Sequence, residues 1–115
     1  MRIQLVLAYA AGRPEGDIAD RLEFSLPASA TGQPDESEPG PFPALRLLPD
    51  GRERAMELLR EDGAWALRRT SPATDAEDAP LWQLDARVFR PGELVQLQRP
   101  DGETLTFRIV NVSPD

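Results

Sequence analysis

The sequence predicts an all-β domain of about seven to nine short antiparallel strands, a pattern shared by sandwiches and small barrels, with a small antiparallel β-sandwich expected, and two observations carry that expectation. Apolar and polar side chains alternate at a period of two in segments near both ends of the chain, the signature of half-buried strands. Between such segments stand closely spaced turn signals: Pro-Asp-Gly at 49–51 and 100–102, and Asp-Gly at 62–63. In these the glycine supplies the positive φ of a tight reversal. The 115 residues fit one domain, 1–115, which buries roughly two thirds of the surface its unfolded chain exposes.

Taken in order, RIQLVLAYA at 2–10 sets Ile3, Leu5, Leu7 and Tyr9 on one face. DRLEFSLP at 20–27 sets Leu22, Phe24 and Leu26 against Arg21, Glu23 and Ser25. Residues 27–43, PASATGQPDESEPGPFP, are rich in proline and acid; such a stretch buries too little apolar surface to offset its ordering entropy, so a flexible loop is expected. ALRLL at 44–48 reads as a short apolar strand, AWALRRT at 64–70 places Trp65 and Leu67 together, and TSPATDAEDAP at 70–80 is a second flexible acidic loop. LWQLDARVF supplies one or two short strands and ELVQLQ another. ETLTFRIVNV supplies the last, with Leu105, Phe107 and Ile109 facing one way and Thr104, Thr106 and Arg108 the other.

The segment PDGRERAMELLREDGAW at 49–65 admits two readings. As a helix over 52–62 it has Asp50 as N-cap, Glu53 at capping-box spacing and Gly63 at the end, which would make the fold α+β. As a strand it lies between two turns. LLPDGRERAMELL resembles LQRPDGETLTFRI at 97–109, whose flanks are plainly extended. The strand reading is favoured, because β-propensity yields to context and the neighbours on both sides are strands.

Composition excludes several chemistries. Without histidine or cysteine there is no Ser-His-Asp triad, no Cys-His dyad and no usual zinc site. No cofactor and no metal are expected, and the chain is not expected to be an enzyme. The net charge of −7 opposes attraction to nucleic acid or to an anionic membrane. All 13 basic residues are arginine, a bias that a GC-rich bacterial genome would give. No apolar run approaches the ~20 residues of a membrane span, and the opening MRIQLVLAYAAGR reads as a strand in preference to a leader, so a cytoplasmic location is expected.

On the strand reading the second half resembles the forkhead-associated (FHA) domain. GRERA at 51–55 stands where that family has Ser-Arg-x-His-Ala, EDGAWAL resembles its following "dG.W.L" strand, and FRPGELVQL with LTFRIV resembles its closing strands. The resemblance covers roughly residues 45–112. It implies a β-sandwich that binds phosphothreonine peptides, but Gly51 and Arg54 replace the family's serine and histidine, and only Arg52 and Ala55 are in register. The implied phosphothreonine site is therefore degraded. RPGELVQLQRPDGETLTFRIVNV is also similar to the C-terminal segment of bacterial transcript-cleavage elongation factors, which dock on RNA polymerase.

The candidate binding residues are Arg46, Arg52, Arg54, Arg68 and Arg69, which lie on segments that neighbour one another in a meander and could converge as a fork for phosphate or carboxylate. The competing reading makes them solvated charges paired with Glu53, Glu57 and Glu61. Trp65 and Trp82 read as core residues first and as a binding hot spot second; Asp75, Glu77 and Asp78 lack the spacing of a calcium loop. The expected function is a non-catalytic protein-interaction module whose partner is another protein, a phosphopeptide among the candidates. The alternatives are a ligand-binding or enzymatic domain built on Arg, Asp and Glu alone, and an accessory domain docking on RNA polymerase.

Overall fold

The computed structural model describes residues 1–27, 40–61, 64–70, 82–85, 89–99 and 102–113. Eight strands follow in sequence: β1 (Arg2–Tyr9), β2 (Asp17–Ser25), β3 (Phe42–Leu47), β4 (Glu53–Glu61), β5 (Ala64–Arg69), β6 (Trp82–Asp85), β7 (Leu94–Gln98) and β8 (Thr104–Ser113). Each pairs antiparallel with the next, and β1 pairs with β8, so the sheet is a closed meander barrel. The all-β expectation holds, and the strand reading of 53–61 replaces the helix alternative. Met56 and Leu58 are buried while Ala55 is exposed, a period of two that β3 and β5 enforce by pairing on either side of β4.

Where two packed sheets were expected, one sheet closes on itself. The register shifts responsible lie on the closing strands, at Val6/Leu7 against β2 and at Gln4/Leu5 and Leu7/Tyr9 against β8. Bulges increase local twist and bend a strand, and the bend brings the first strand onto the last. Closure also removes the open sheet edge through which such a meander could add further strands. The shift at Leu7/Tyr9 overturns one face assignment: Ala8 is the extra residue, and Tyr9 is exposed instead of joining Ile3, Leu5 and Leu7 inside.

The two Pro-Asp-Gly signals do the same work. Gly51 N–H donates to Leu48 O at 3.0 Å and Leu48 N–H to Arg52 O at 2.9 Å; Gly102 N–H donates to Arg99 O at 3.0 Å and Arg99 N–H to Glu103 O at 2.8 Å. Gly51 and Gly102 have φ of 90° and 93°. A turn closed by a residue in the left-handed region is the usual three-residue hairpin connection. Strand β3 begins at Phe42, inside the stretch expected to be loop. The rest of that stretch from 28 to 39, nearly all of the expected loop at 70–80, and the Asp-Gly at 62–63 lie outside the described residues.

An eight-stranded barrel is just wide enough for side chains to fill, and here Ile3, Leu5, Leu22, Phe24, Leu58, Leu67, Leu97, Phe107 and Ile109 fill it. One end is stoppered by aromatic rings. Phe89 comes in ahead of β7 and meets Phe24 edge-on, centroids 5.7 Å apart, and Trp65 at 6.4 Å, while Phe42 lies 6.4 Å from Trp65. An apolar interior with Gln4, Glu23, Glu57, Arg68 and Arg108 outside is the reverse of a membrane-spanning barrel. Among the described residues no helix is long and apolar enough to cross a membrane.

Candidate functional site

The end of the barrel opposite the aromatic rings is where most of the candidate arginines go. Between Val6 and Leu7 the pairing of β2 jumps from Arg21 to Asp17, so Ile18, Ala19 and Asp20 bulge out of the ladder. Asp20 keeps the parity of Leu22 and Phe24, and its carboxylate turns into the barrel mouth, buried. Arg46, on β3, reaches it with both prongs: Nε donates to Oδ1 at 2.7 Å and Nη2 to Oδ2 at 2.9 Å. Arg13 adds a third bond, Nη1 to Oδ2, at 3.0 Å from the β1–β2 turn. The Arg46 guanidinium also lies 5.4 Å from the centroid of the Phe107 ring. Asp20 was not singled out by its sequence, since the period of β2 could not show that a bulge precedes it.

Three of the five candidate arginines, Arg46, Arg52 and Arg68, are each engaged by a different carboxylate. Arg46 is committed to Asp20 inside the barrel, and Arg54 stands directly across from it on β4. Arg52 belongs to the turn, its Nε donating to Asp50 Oδ2 at 2.6 Å and its N–H to Asp50 Oδ1 at 3.0 Å. Those bonds, the backbone one first, hold the Asp50 carboxyl below its ordinary range. Arg68 faces outward and pairs with Glu57, directly opposite on β4, at 2.8 Å. Arg69 pairs through its backbone with Met56; its side chain, like that of Trp82, lies outside the described residues. Trp65 is a core residue, with the Arg60 guanidinium 4.8 Å above its ring.

A different surface stands out once the barrel is closed. Strands β7, β8 and β1 are consecutive around the ring and contain no aspartate or glutamate, although the chain has 20 acidic residues. On the outside of this wall Leu94 is 57% exposed, Val110 47% and Tyr9 53%, and Ile18 on the neighbouring β2 bulge is 76% exposed. One cross-strand row runs Leu94, Arg108, Val6, Arg21, from β7 to β2. Toward the aromatic end the wall is bordered by a polar chain. Asn111 Nδ2 donates to Gln4 Oε1 at 2.9 Å, Gln4 Nε2 to Glu23 Oε1 at 2.8 Å, and Arg2 Nη2 to Glu23 Oε2 at 2.8 Å. Sequence could have supplied the acid-free composition of the three strands, but only closure makes them neighbours.

Proton-transfer chemistry gets little from the described residues. The two carboxyls with a resolved shift, Glu23 and Asp50, are both lowered, Glu23 by the Arg2 guanidinium first and the Gln4 amide second. A lowered carboxyl is held as the anion, the opposite of a poised acid. An open groove lined by Arg2, Glu23, Phe24, Ser25, Pro43, Ala44 and Leu45 lies where β2 and β3 part, and its one carboxylate is Glu23. Among the described residues no group of three acidic, histidine or cysteine side chains could hold a metal ion. No family model matches the chain, and neither a curated protein nor a solved structure matches it.

Proposed function

We propose that the chain is a non-catalytic protein-interaction module and that the outer wall of β7, β8 and β1 is its contact surface. The observation that carries this reading is the segregation of charge and apolar exposure: three adjacent strands free of acid, with Leu94, Val110 and Tyr9 projecting, in a chain of net charge −7. Interface cores are depleted in charged residues, with aromatics and arginine enriched. The interior supports the same reading, because the barrel is filled by its own side chains and its buried carboxylate is already bonded to Arg46 and Arg13.

Affinity capture from lysate of the source cells tests it, with wild type set against Leu94→Glu/Val110→Glu and against Arg52→Glu, which lies off the wall. Loss of specific partners from the wall variant alone supports the reading. An identical set from all three proteins overturns it. Binding of a phosphothreonine peptide that is lost in Arg52→Glu would instead favour the site implied by the FHA resemblance.

A further inference from the structure

We infer that the occupant of this wall is an acidic segment of another protein, bound extended across the strands with carboxylates on Arg108 and Arg21; the inference rests on the proposed function and specifies its partner. Arg108 on β8 and Arg21 on β2 are both exposed, and each is the cross-strand partner of Val6 on β1, which lies between them. Arg21 Nε donates to Ile18 O at 2.9 Å, which steadies its guanidinium, and among the described residues neither arginine is ion-paired, the charge of Arg21 acting on Glu23 only as the smallest of the influences on that carboxyl. Most other described arginines are ion-paired: Arg2, Arg13, Arg46, Arg52, Arg68, Arg90 and Arg99 each hold a carboxylate. Of the acids that flank the wall, Glu23 is taken by Arg2 and Glu93 by Arg90, and Asp17, across from Leu7, accepts the Ala19 N–H.

The spacing specifies the ligand. Adjacent strands lie about 4.8 Å apart, so the two arginines, two strands apart, are separated by roughly 10 Å along the row, and a chain in the extended polyproline II conformation, rising about 3.1 Å per residue with about three residues per turn, brings side chains i and i+3 onto one face at nearly that distance. An acid, two apolar residues and a second acid in that conformation would therefore seat both carboxylates, with the intervening pair passing over Val6, which lies between the arginines. A second copy docked face to face would bring this same patch against itself, as two-fold symmetry requires, and its three strands offer no carboxylate to receive the arginines. An anionic membrane would meet the repulsion of the remaining surface of a chain whose net charge is −7.

The probe is the peptide Ser-Gly-Asp-Val-Val-Asp-Gly-Ser, titrated into the isotopically labelled full chain, with the version carrying Asn for both Asp as control. Amide shifts confined to β7, β8, β1 and the Arg21 region are expected, at least tenfold weaker binding for the Asn peptide or for Arg21→Gln/Arg108→Gln, and little change for Arg52→Glu. Equal binding of both peptides, no shifts at millimolar peptide, or occupation of this wall by anionic phosphatidylserine vesicles or by a second copy in place of the peptide overturns the inference. If Leu94→Glu/Val110→Glu abolishes partner capture while Arg21→Gln/Arg108→Gln leaves it intact, the acidic ligand is wrong and the interaction surface stands. If neither variant changes capture, both fail.

Discussion

Asp20 and Arg46 meet inside the barrel mouth through two bonds of 2.7 and 2.9 Å, both side chains almost fully removed from solvent. Removing one partner of a buried pair leaves the other charge desolvated, at a cost of roughly 3–5 kcal/mol, whereas replacing both by apolar groups is often neutral or stabilising. Asp20→Ala should therefore lower the melting temperature by about 10–20 °C, and Asp20→Leu/Arg46→Met should recover most of it. Arg13→Ala, removing the more exposed partner of Asp20, should cost under about 1 kcal/mol. A double variant as unstable as the single one would mean that the pair does more than neutralise itself.

The turn glycines separate conformational strain from collision. Gly51 and Gly102 have positive φ with open space where a Cβ would go, so alanine at either should cost only the strain of that conformation, about 1 kcal/mol. Gly16 also has positive φ, but a Cβ there would run into Leu7 O and the Ala8 backbone, with Ala8 Cα at 2.8 Å. Denaturant titration should rank Gly16→Ala well below the other two, and below the wild type by several kcal/mol if the β1–β2 hairpin must open to accept it. Equal losses at all three positions would show that backbone conformation alone governs them.

Much of the ladder was legible because its signals are local. Alternation in 20–27 and 103–112, and the likeness of the Pro-Asp-Gly turn at 49–51 to the one at 100–102, gave the strands and the correct choice at 53–61. Closure was not legible, because it depends on register shifts at Val6/Leu7 and Gln4/Leu5 that no residue type marks. From that one miss came the others: the face of Tyr9, the inward Asp20, and the adjacency of β1 to β8 that assembles the acid-free wall. The arginines at 46 and 54 were correctly seen as neighbours. Their sequence could not say that Arg46 already has a carboxylate.

Acid should weaken the polar border of the wall in a defined direction. Hydrogen bonds from Arg2, the larger contribution, and from Gln4 hold the Glu23 carboxyl below its ordinary value of 4.5. A group whose folded pKa is lowered contributes stability that is present above the unfolded value and lost as pH falls through the folded one. The stability difference between wild type and Glu23→Gln should thus be constant from neutral pH down to about 4.5 and shrink below it. Arg2→Ala should move the Glu23 titration, followed by carbon NMR of its carboxyl, up toward 4.5; no movement would show that Arg2 is not its main partner.

Phe89 stoppers the other end of the barrel although it comes from outside any strand. Its ring stands at 80° to Phe24 and 74° to Trp65, edge-on to both, the arrangement aromatic quadrupoles favour. Phe89→Ala should cost about 3–5 kcal/mol, since the rings around the gap are held by strands and cannot collapse into it. Phe89→Leu should recover part of that loss through area alone, but not the part due to ring geometry. A double-mutant cycle of Phe24→Leu and Phe89→Leu isolates the latter, with a coupling of roughly 0.5–1.5 kcal/mol expected. Because Trp65 is the other partner of Phe89, its near-ultraviolet circular dichroism should weaken in Phe89→Leu even where the melting temperature is largely kept. An unchanged Trp65 signal would mean that Phe89 covers the end without fixing the rings beneath it.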